Sequence, residues 1–369
     1  MVNPFLVTSY ISEEYFCNRK EETKLLKSNI ANGRNTVIYG WRRLGKTSLI
    51  RHLEGKLGKN HEVLYVDLLG TKNLDDAQKT IGKAIFNFYG QKLDALSFNL
   101  QRLLSNLGLS IGFDQYSGNP EISVNLYQEN KNSNSFESIG AFLSNRKKKV
   151  VIVLDEFQEI NHYEDKNAEA LFRAFMQANP MVRFIFSGSH RNIIQSMFLE
   201  KNRPFYKSCE LLLLEEIELK EYTKFIKGHF ANANGEIGQE TIDEIYRWSR
   251  GQTYCIQQIC NKLYDRDKTP DLQSLLTVKQ ETVKQETPIL STILNTLSKT
   301  QGNVLEAIAK EEPVTNQNAQ AFLFKHKLGA ASSVNTALKK LIESELVIKT
   351  QKGLMVHDVI FSQWLKSLI

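Results

Sequence analysis

TVIYGWRRLGKTSLIRHLEGKL (36–57) is the stretch on which the reading of the whole chain turns. TVIYG is a short β-branched and aromatic run ending in glycine, and after it Leu49, Ile50 and Leu53 fall at helical spacing. Between strand and helix, GWRRLGKT (40–47) matches GxxxxGK[ST] in the strand–turn–helix setting that this phosphate-cradling pattern requires. Gly40 and Gly45 admit close approaches and backbone conformations that a side chain obstructs. Successive N–H groups across Trp41, Arg42, Arg43 and Leu44 can then face phosphate oxygens. The helix opens at the anion, so its unpaired amides favour a triphosphate. Lys46 is placed to reach the β and γ phosphates, Thr47 to ligate Mg²⁺ through its hydroxyl, and Ser48 to stand near the α phosphate. ATP and Mg²⁺ are the expected cofactors.

Working outward, HEVLYVDLL (61–69), KKVVIVLDEF (148–157), VRFIFSGS (182–189) and CELLLLEEI (209–217) read as further buried strands separated by helical patterns. One such pattern spans 75–106, with Ile81, Ile85, Phe86 and Leu93 on its apolar face. Alternation of this kind predicts a P-loop α/β fold, a parallel sheet flanked by helices. Residues 107–134, rich in Gly, Asn and Ser around EISVNLY (121–127), break the pattern and are expected to form an inserted hairpin or a mobile loop. Asp155 and Glu156 follow five apolar residues at a strand's C-terminal end, where open α/β sheets place their ligands. Asp155 is the expected partner of Mg²⁺ through its water shell, and Glu156 the group that orients or deprotonates the attacking water. Gln158 and Glu159 either line the site or cap the next helix. Ser189 or Ser187, closing FIFSGSH (184–190), is the candidate third polar contact, against the alternative of a serine helix cap. His190 reads as structural.

Bulk properties set outer limits. A chain of 369 residues exceeds the usual span of one core, so two or three domains are expected. No apolar run reaches membrane-spanning length, and the N-terminus MVNPFLVTSYISEEYF lacks the basic start and apolar stretch of a secretory signal. Cys17, Cys209, Cys255 and Cys260 lack paired CxxC spacing and read as packing residues, which makes a cytoplasmic address the default. A net charge of +6 permits contact with nucleic acid without demanding it.

With these motifs in place, nearly the whole chain resembles the archaeal-type ATPase family of AAA+ and STAND-related P-loop proteins. The likeness runs from NPF (3–5) and YFCNRKEETKLL (15–26) through GWRRLGKTSL, VLDEFQ and FSGS to SMFLEKNRPFYKS (196–208) and SRGQTYCIQQIC (249–260). The resemblance implies adenine contacts from the segment holding Phe16, Arg19 and Glu22. It also implies a helical lid over about 218–287, from which Arg250 could sense the phosphates, and a catalytic arginine contributed to a neighbouring subunit near RPFYKS (203–208). Arg203 and Lys207 are substitutes for that arginine, because the family position falls nearest Ser208. Asn18 stands where the family commonly has Gly, and Thr253 where a Gly-x-Pro usually enters the lid helix.

The expected domains are a core over 1–217, the lid and linker over 218–287 and a winged helix over 288–369. In the last, TQGNVLEAIAK (300–310), NQNAQAFLFKH (316–326) and SSVNTALKKLIES (332–344) precede a hairpin in LVIKTQKGLMVH (346–357). Ser332 or Ser333 is the expected cap of the third helix, and Lys352-Gly353 the turn of the wing. VHDVIFSQWLKSL (356–368) is the expected closing helix, with Phe361 and Trp364 in its core. The region carries nine lysines, no arginine and six acids, a thin balance for DNA, although Lys325, Lys339, Lys340 and Lys352 could meet phosphates. Two readings stay open: a slow, ATP-driven switch acting on a protein partner or a second copy, and a nucleotide-controlled DNA-binding regulator with little turnover.

Overall fold

In the computed structural model, which describes residues 3–90, 97–113, 120–124 and 132–368, Tyr10–Glu215 form one unit, and the residues before Tyr10 join those from Glu216 onward in a second. The first unit contains α1 (Lys20–Ala31), β1 (Thr36–Tyr39), α2 (Lys46–Leu57), β2 (His61–Asp67), α3 (Leu74–Tyr89), α4 (Phe98–Asn106), β3 (Leu109–Phe113), β4 (Pro120–Val124), α5 (Asn132–Ser144), β5 (Lys149–Asp155), α6 (Ala168–Ala178), β6 (Arg183–Gly188), α7 (Arg191–Leu199) and β7 (Glu210–Leu213). Five strands form a wholly parallel sheet in the order β2-β5-β6-β1-β7. Successive residues of a strand point to opposite faces. Val37, Leu64, Val66, Ile152, Leu154, Phe184 and Phe186 therefore pack on one side. Ile38, Val63, Val151, Val153, Ile185 and Leu212 pack on the other. Both faces are covered, which is why these strands read as continuous apolar runs rather than alternating ones.

The strand order fixes what meets at the ligand edge. β6 lies between the phosphate-loop strand β1 and the acidic strand β5, with Tyr39 opposite Gly188 and Leu154 opposite Phe186. The serines ending β6 are thereby set between the loop and the acids. The break in the helical pattern is an antiparallel hairpin, β3 with β4, inserted between β2 and β5. Leu93 and part of the 107–134 stretch lie outside the described residues.

The second unit contains α8 (Leu219–Asn232), α9 (Gln239–Ser249), α10 (Thr253–Arg266), α11 (Leu272–Thr296), α12 (Lys299–Glu311), α13 (Gln320–Lys325), α14 (Ala331–Glu343), β8 (Val347–Thr350), β9 (Gly353–Val356) and α15 (Val359–Ser367). The NPF segment is part of it. Phe5 is fully buried among Phe225, His229, Phe230 and Tyr264, while Asn3 donates to the carbonyl of Asn261 and Asn261 donates back to that of Phe5. The winged helix is α12, α13, α14 and the β8–β9 hairpin, closed by α15 around Val304, Ile308, Val334, Leu341, Phe361 and Trp364. Ser298 and Gln301 form a reciprocal capping box at the start of α12. The wing turns at Gln351 and Lys352, one residue earlier than expected, and Gly353 opens β9 at φ +134°, where an added Cβ would lie 2.6 Å from the carbonyl oxygen of Val314.

Another local expectation needs correction. α14 starts at Ala331 with Ala330 as its N-cap, so Ser332 and Ser333 fall inside its first turn and cap nothing. At 288 the connection is helical, because α11 runs unbroken through Pro288. The proline is exposed there, so the backbone carbonyl deprived of its partner can turn to water.

Candidate active site

The phosphate loop leaves β1 at Tyr39 and enters α2 at Lys46. Gly40 is required by packing: a Cβ on it would lie 2.4 Å from the Leu214 carbonyl oxygen just beyond β7. Gly45 sits at φ +89° as the N-cap of α2, a conformation that favours glycine, and Arg43 also has positive φ, at +66°. Lys46, only 7% exposed, donates from Nζ to the carbonyls of Gly40 (3.0 Å) and Trp41 (3.1 Å), which bends it back across the loop. Arg42 and Arg43 are exposed, and Trp41 is half-buried with the Arg191 guanidinium 5.7 Å from its ring centroid. Ser48 lies in the first turn of α2.

Arg19 braces this loop. Buried and at φ +62°, it donates to Glu22 (2.8 Å) and to the carbonyls of Leu44 (3.1 Å) and Glu215 (2.7 Å). The preceding Asn18 is also left-handed, at φ +55°. Asparagine is among the few residues other than glycine that visit this region readily. Phe16 stacks on His52 at 4.4 Å, and Tyr10 meets the edges of both rings. Burial, with Lys56 nearby, holds the His52 pKa below its ordinary value.

The acidic end of β5 sits beside the start of α2. Asp155 is 3% exposed. Its Oδ2 accepts from the Thr47 hydroxyl (3.2 Å) and from the Tyr65 hydroxyl, and its Oδ1 accepts from the Glu156 amide (3.0 Å). Glu156 adopts φ +50°. One of its oxygens, Oε2, accepts from the Ser189 hydroxyl (2.7 Å), the Ser189 amide (3.3 Å) and Gln158 Nε2 (2.6 Å). The alternatives at the end of β6 are thus separated: Ser189 meets Glu156, whereas Ser187 Oγ is buried with no partner among the described residues. Gln158 faces Glu156 from a 3-10 turn over Phe157–His162. His190 is the N-cap of α7.

Two neighbours of Asp155 escaped the sequence reading. Tyr65 and Asp67 share one side of β2, and Asp67 pairs in register with Asp155. The signal lay in YVD, a strand end carrying an acid. Burial first, then the Asp155 charge, pushes the Tyr65 pKa well above its usual value, so the phenol remains a donor. The Asp67 pKa is raised too, chiefly by desolvation and further by the carboxylates of Asp155 and Glu156.

Arg203 and Arg250 are both engaged. Arg203 donates to Glu169 (2.6 Å) and Asn161 (2.9 Å), and the adjacent Phe205 is fully buried against Phe157, Phe186 and Phe198. Arg250, a left-handed C-cap of α9, donates to the Val356 carbonyl (2.8 Å) and pairs with Glu312. Thr253 opens α10 and accepts from the Tyr222 hydroxyl at 3.0 Å.

A hydroxyl and a carboxylate converging beside a loop of amides are hard oxygen donors of the kind Mg²⁺ takes, so Thr47 and Asp155 fit that ion. Fold and site together define a P-loop ATPase domain of AAA+-like architecture joined to a winged helix. The chain belongs to the family of ATPase domains found predominantly in Archaea, whose model matches residues 16–259, and a probable winged helix domain matches residues 288–367. Among solved structures it is similar to a Walker-type ATPase of Pyrococcus abyssi, at 15% identity over 98% of this chain and 99% of that one, with a TM-score of 0.68. It is also similar to the Aeropyrum pernix ORC2 protein in its ADPNP–ADP complexes, at 15% identity over 99% and 98% of the two chains, TM-score 0.62. The A. pernix ORC1 protein in complex with DNA follows, at 12% identity over 96% and 93%, TM-score 0.52. No curated protein sequence matches. Among the described residues no helix is long and apolar enough to cross a membrane.

Proposed function

We propose that this protein is a cytoplasmic, Mg²⁺-dependent ATPase switch that hydrolyses ATP slowly to ADP and phosphate and passes its nucleotide state to the winged helix. The supporting observation is the convergence of Lys46, Thr47, Asp155 and Glu156 at the C-terminal edge of one sheet. In this reading the loop amides and Lys46 hold the triphosphate, and Thr47 and Asp155 hold Mg²⁺, which supplies charge neutralisation at the phosphate oxygens. Glu156 takes a proton from water as the water oxygen bonds to the γ phosphorus and the bond to the bridging β–γ oxygen breaks, releasing ADP. The three donors on Glu156 Oε2 hold that carboxylate in place for this step. Among the described residues Cys17, Cys209, Cys255 and Cys260 form no disulfide, which accords with a reducing compartment.

Lys46→Ala tests the assignment. Calorimetry is expected to show ATP binding lost or greatly weakened, and unchanged affinity would sink the reading.

One observation favours the nucleotide-controlled DNA-binding alternative. Ser332, Ser333, Asn335, Thr336, Lys339 and Lys340 make an exposed polar and basic face on α14, with Lys352 exposed on the wing. The A. pernix ORC1 relative is known in complex with DNA. DNA affinity measured with ATP, with ADP and without nucleotide, at two salt concentrations, separates the readings: nucleotide-dependent, salt-sensitive binding supports the regulator.

A further inference from the structure

We propose that Tyr65 is a positioning residue for the metal site, orienting the Asp155 carboxylate so that it and Thr47 present oxygens to one cation. The inference deepens the ATPase reading and rests on it. Asp155 is fixed by donors from three separate chain segments: the Glu156 amide on Oδ1 (3.0 Å), and the hydroxyls of Thr47 (3.2 Å) and Tyr65 on Oδ2. These donors are not equivalent. The amide follows Asp155 in sequence and moves with it, and the Thr47 hydroxyl is itself a metal-ligand candidate, so its lone pairs turn toward the ion. Tyr65 stands on the neighbouring strand β2, whose parallel pairing with β5 sets Tyr65 opposite Val153 and Asp67 opposite Asp155. Of the three donors it is the one carried neither by the loop and α2 nor by the chain segment of Asp155 itself.

Tyr65 is itself held from above. The Arg51 guanidinium of α2 lies 4.2 Å over its ring, and the ring packs against the apolar cluster of Ile38, Leu49, Ile50 and Val153. A phenol pinned by packing points its hydroxyl with little freedom, the property required of a group that orients a ligand. Loss of such an orienting partner typically weakens metal affinity about 10–100-fold.

The test is Tyr65→Phe, which keeps the ring and removes the hydroxyl. ADP binding is measured by calorimetry in EDTA and over a series of free Mg²⁺ concentrations, for this variant, for the parent and for Arg51→Gln. In Tyr65→Phe the Mg²⁺ midpoint should rise about tenfold or more while affinity in EDTA stays at the parental value, and excess Mg²⁺ should restore kcat. Arg51→Gln, which keeps the hydroxyl, should shift the midpoint less. An unchanged midpoint would overturn the proposal, as would an equal loss of affinity with and without Mg²⁺, since that marks general damage to the fold. If the parent binds ADP without responding to Mg²⁺ at all, the metal-dependent function fails and takes this inference with it. A parental response that Tyr65→Phe shares overturns the positioning role alone.

Discussion

Glu156 is the residue in which sequence and geometry diverge most informatively. A strand ending in two acids is legible as a motif, but nothing in VVIVLDEF shows that Glu156 takes a left-handed backbone at φ +50°. For a side chain with a Cβ that region costs about 1–2 kcal/mol, offset here by the three donors on Oε2 from Ser189 and Gln158. The choice between Ser187 and Ser189 was equally closed to the sequence, since it depends on which residue of β6 clears the sheet beside β5. YVD marks a strand end without showing the contact Tyr65 makes, because its partner is 90 residues away and meets it only through strand pairing. Glu156→Gln is therefore expected to keep Mg-ATP affinity while slowing single-turnover hydrolysis about 100-fold or more. Ser189→Ala should also slow it, by a smaller factor, because the carboxylate keeps Gln158 and the residue 189 amide but loses the hydroxyl that helps orient it. Turnover equal to the parent in Glu156→Gln would remove this carboxylate from the mechanism.

At the scale of elements, local signals were readable and those set by packing were not. Apolar runs bounded by turns gave the five strands, and the phosphate loop came from a contiguous strand–turn–helix; strand order had no such local signature. The polar stretch before 288 reads as a linker, and α11 runs through it and through the exposed Pro288 as one helix. Arg250, the residue the resemblance offers as a phosphate sensor, pairs with Glu312, whose side chain is 3% exposed. Glu312 also accepts from the Val356 amide (3.0 Å), from Lys366 (2.9 Å) and from the Ser362 hydroxyl, so one carboxylate just after α12 joins α9, β9 and α15. Hydrogen bonds to a charged group contribute about 1.5–3 kcal/mol each at most, and Lys366, partly in water, adds little. Glu312→Ala should destabilise the second unit by about 2–3 kcal/mol, seen as a lower denaturant midpoint with ATP affinity retained. A midpoint equal to the parent's would show that the carboxylate network is neutral.

For the whole molecule, the open matter is whether one copy suffices for turnover. The resemblance implies a cation donated between subunits, and Arg203 is its candidate from RPFYKS. That side chain is 25% exposed and is held by Glu169, itself 14% exposed, and by Asn161 within the same unit. Burial pushes the Glu169 pKa up, with Arg203 opposing it, so withdrawing the arginine would leave a poorly solvated carboxylate behind. Phe205, two residues on, is fully buried in the aromatic cluster, which limits how far the segment can swing without opening the core. A finger would have to break this half-buried ion pair each time a neighbour approached, leaving Glu169 without its cation. We therefore expect specific ATPase activity to be flat across protein concentration. Arg203→Ala should lower thermal stability through the loss of Glu169 and Asn161 while leaving turnover per folded molecule nearly unchanged. Activity that rises with concentration, and flattens in Arg203→Ala at unchanged ATP affinity, would instead establish a finger supplied in trans and make the assembled form the working state.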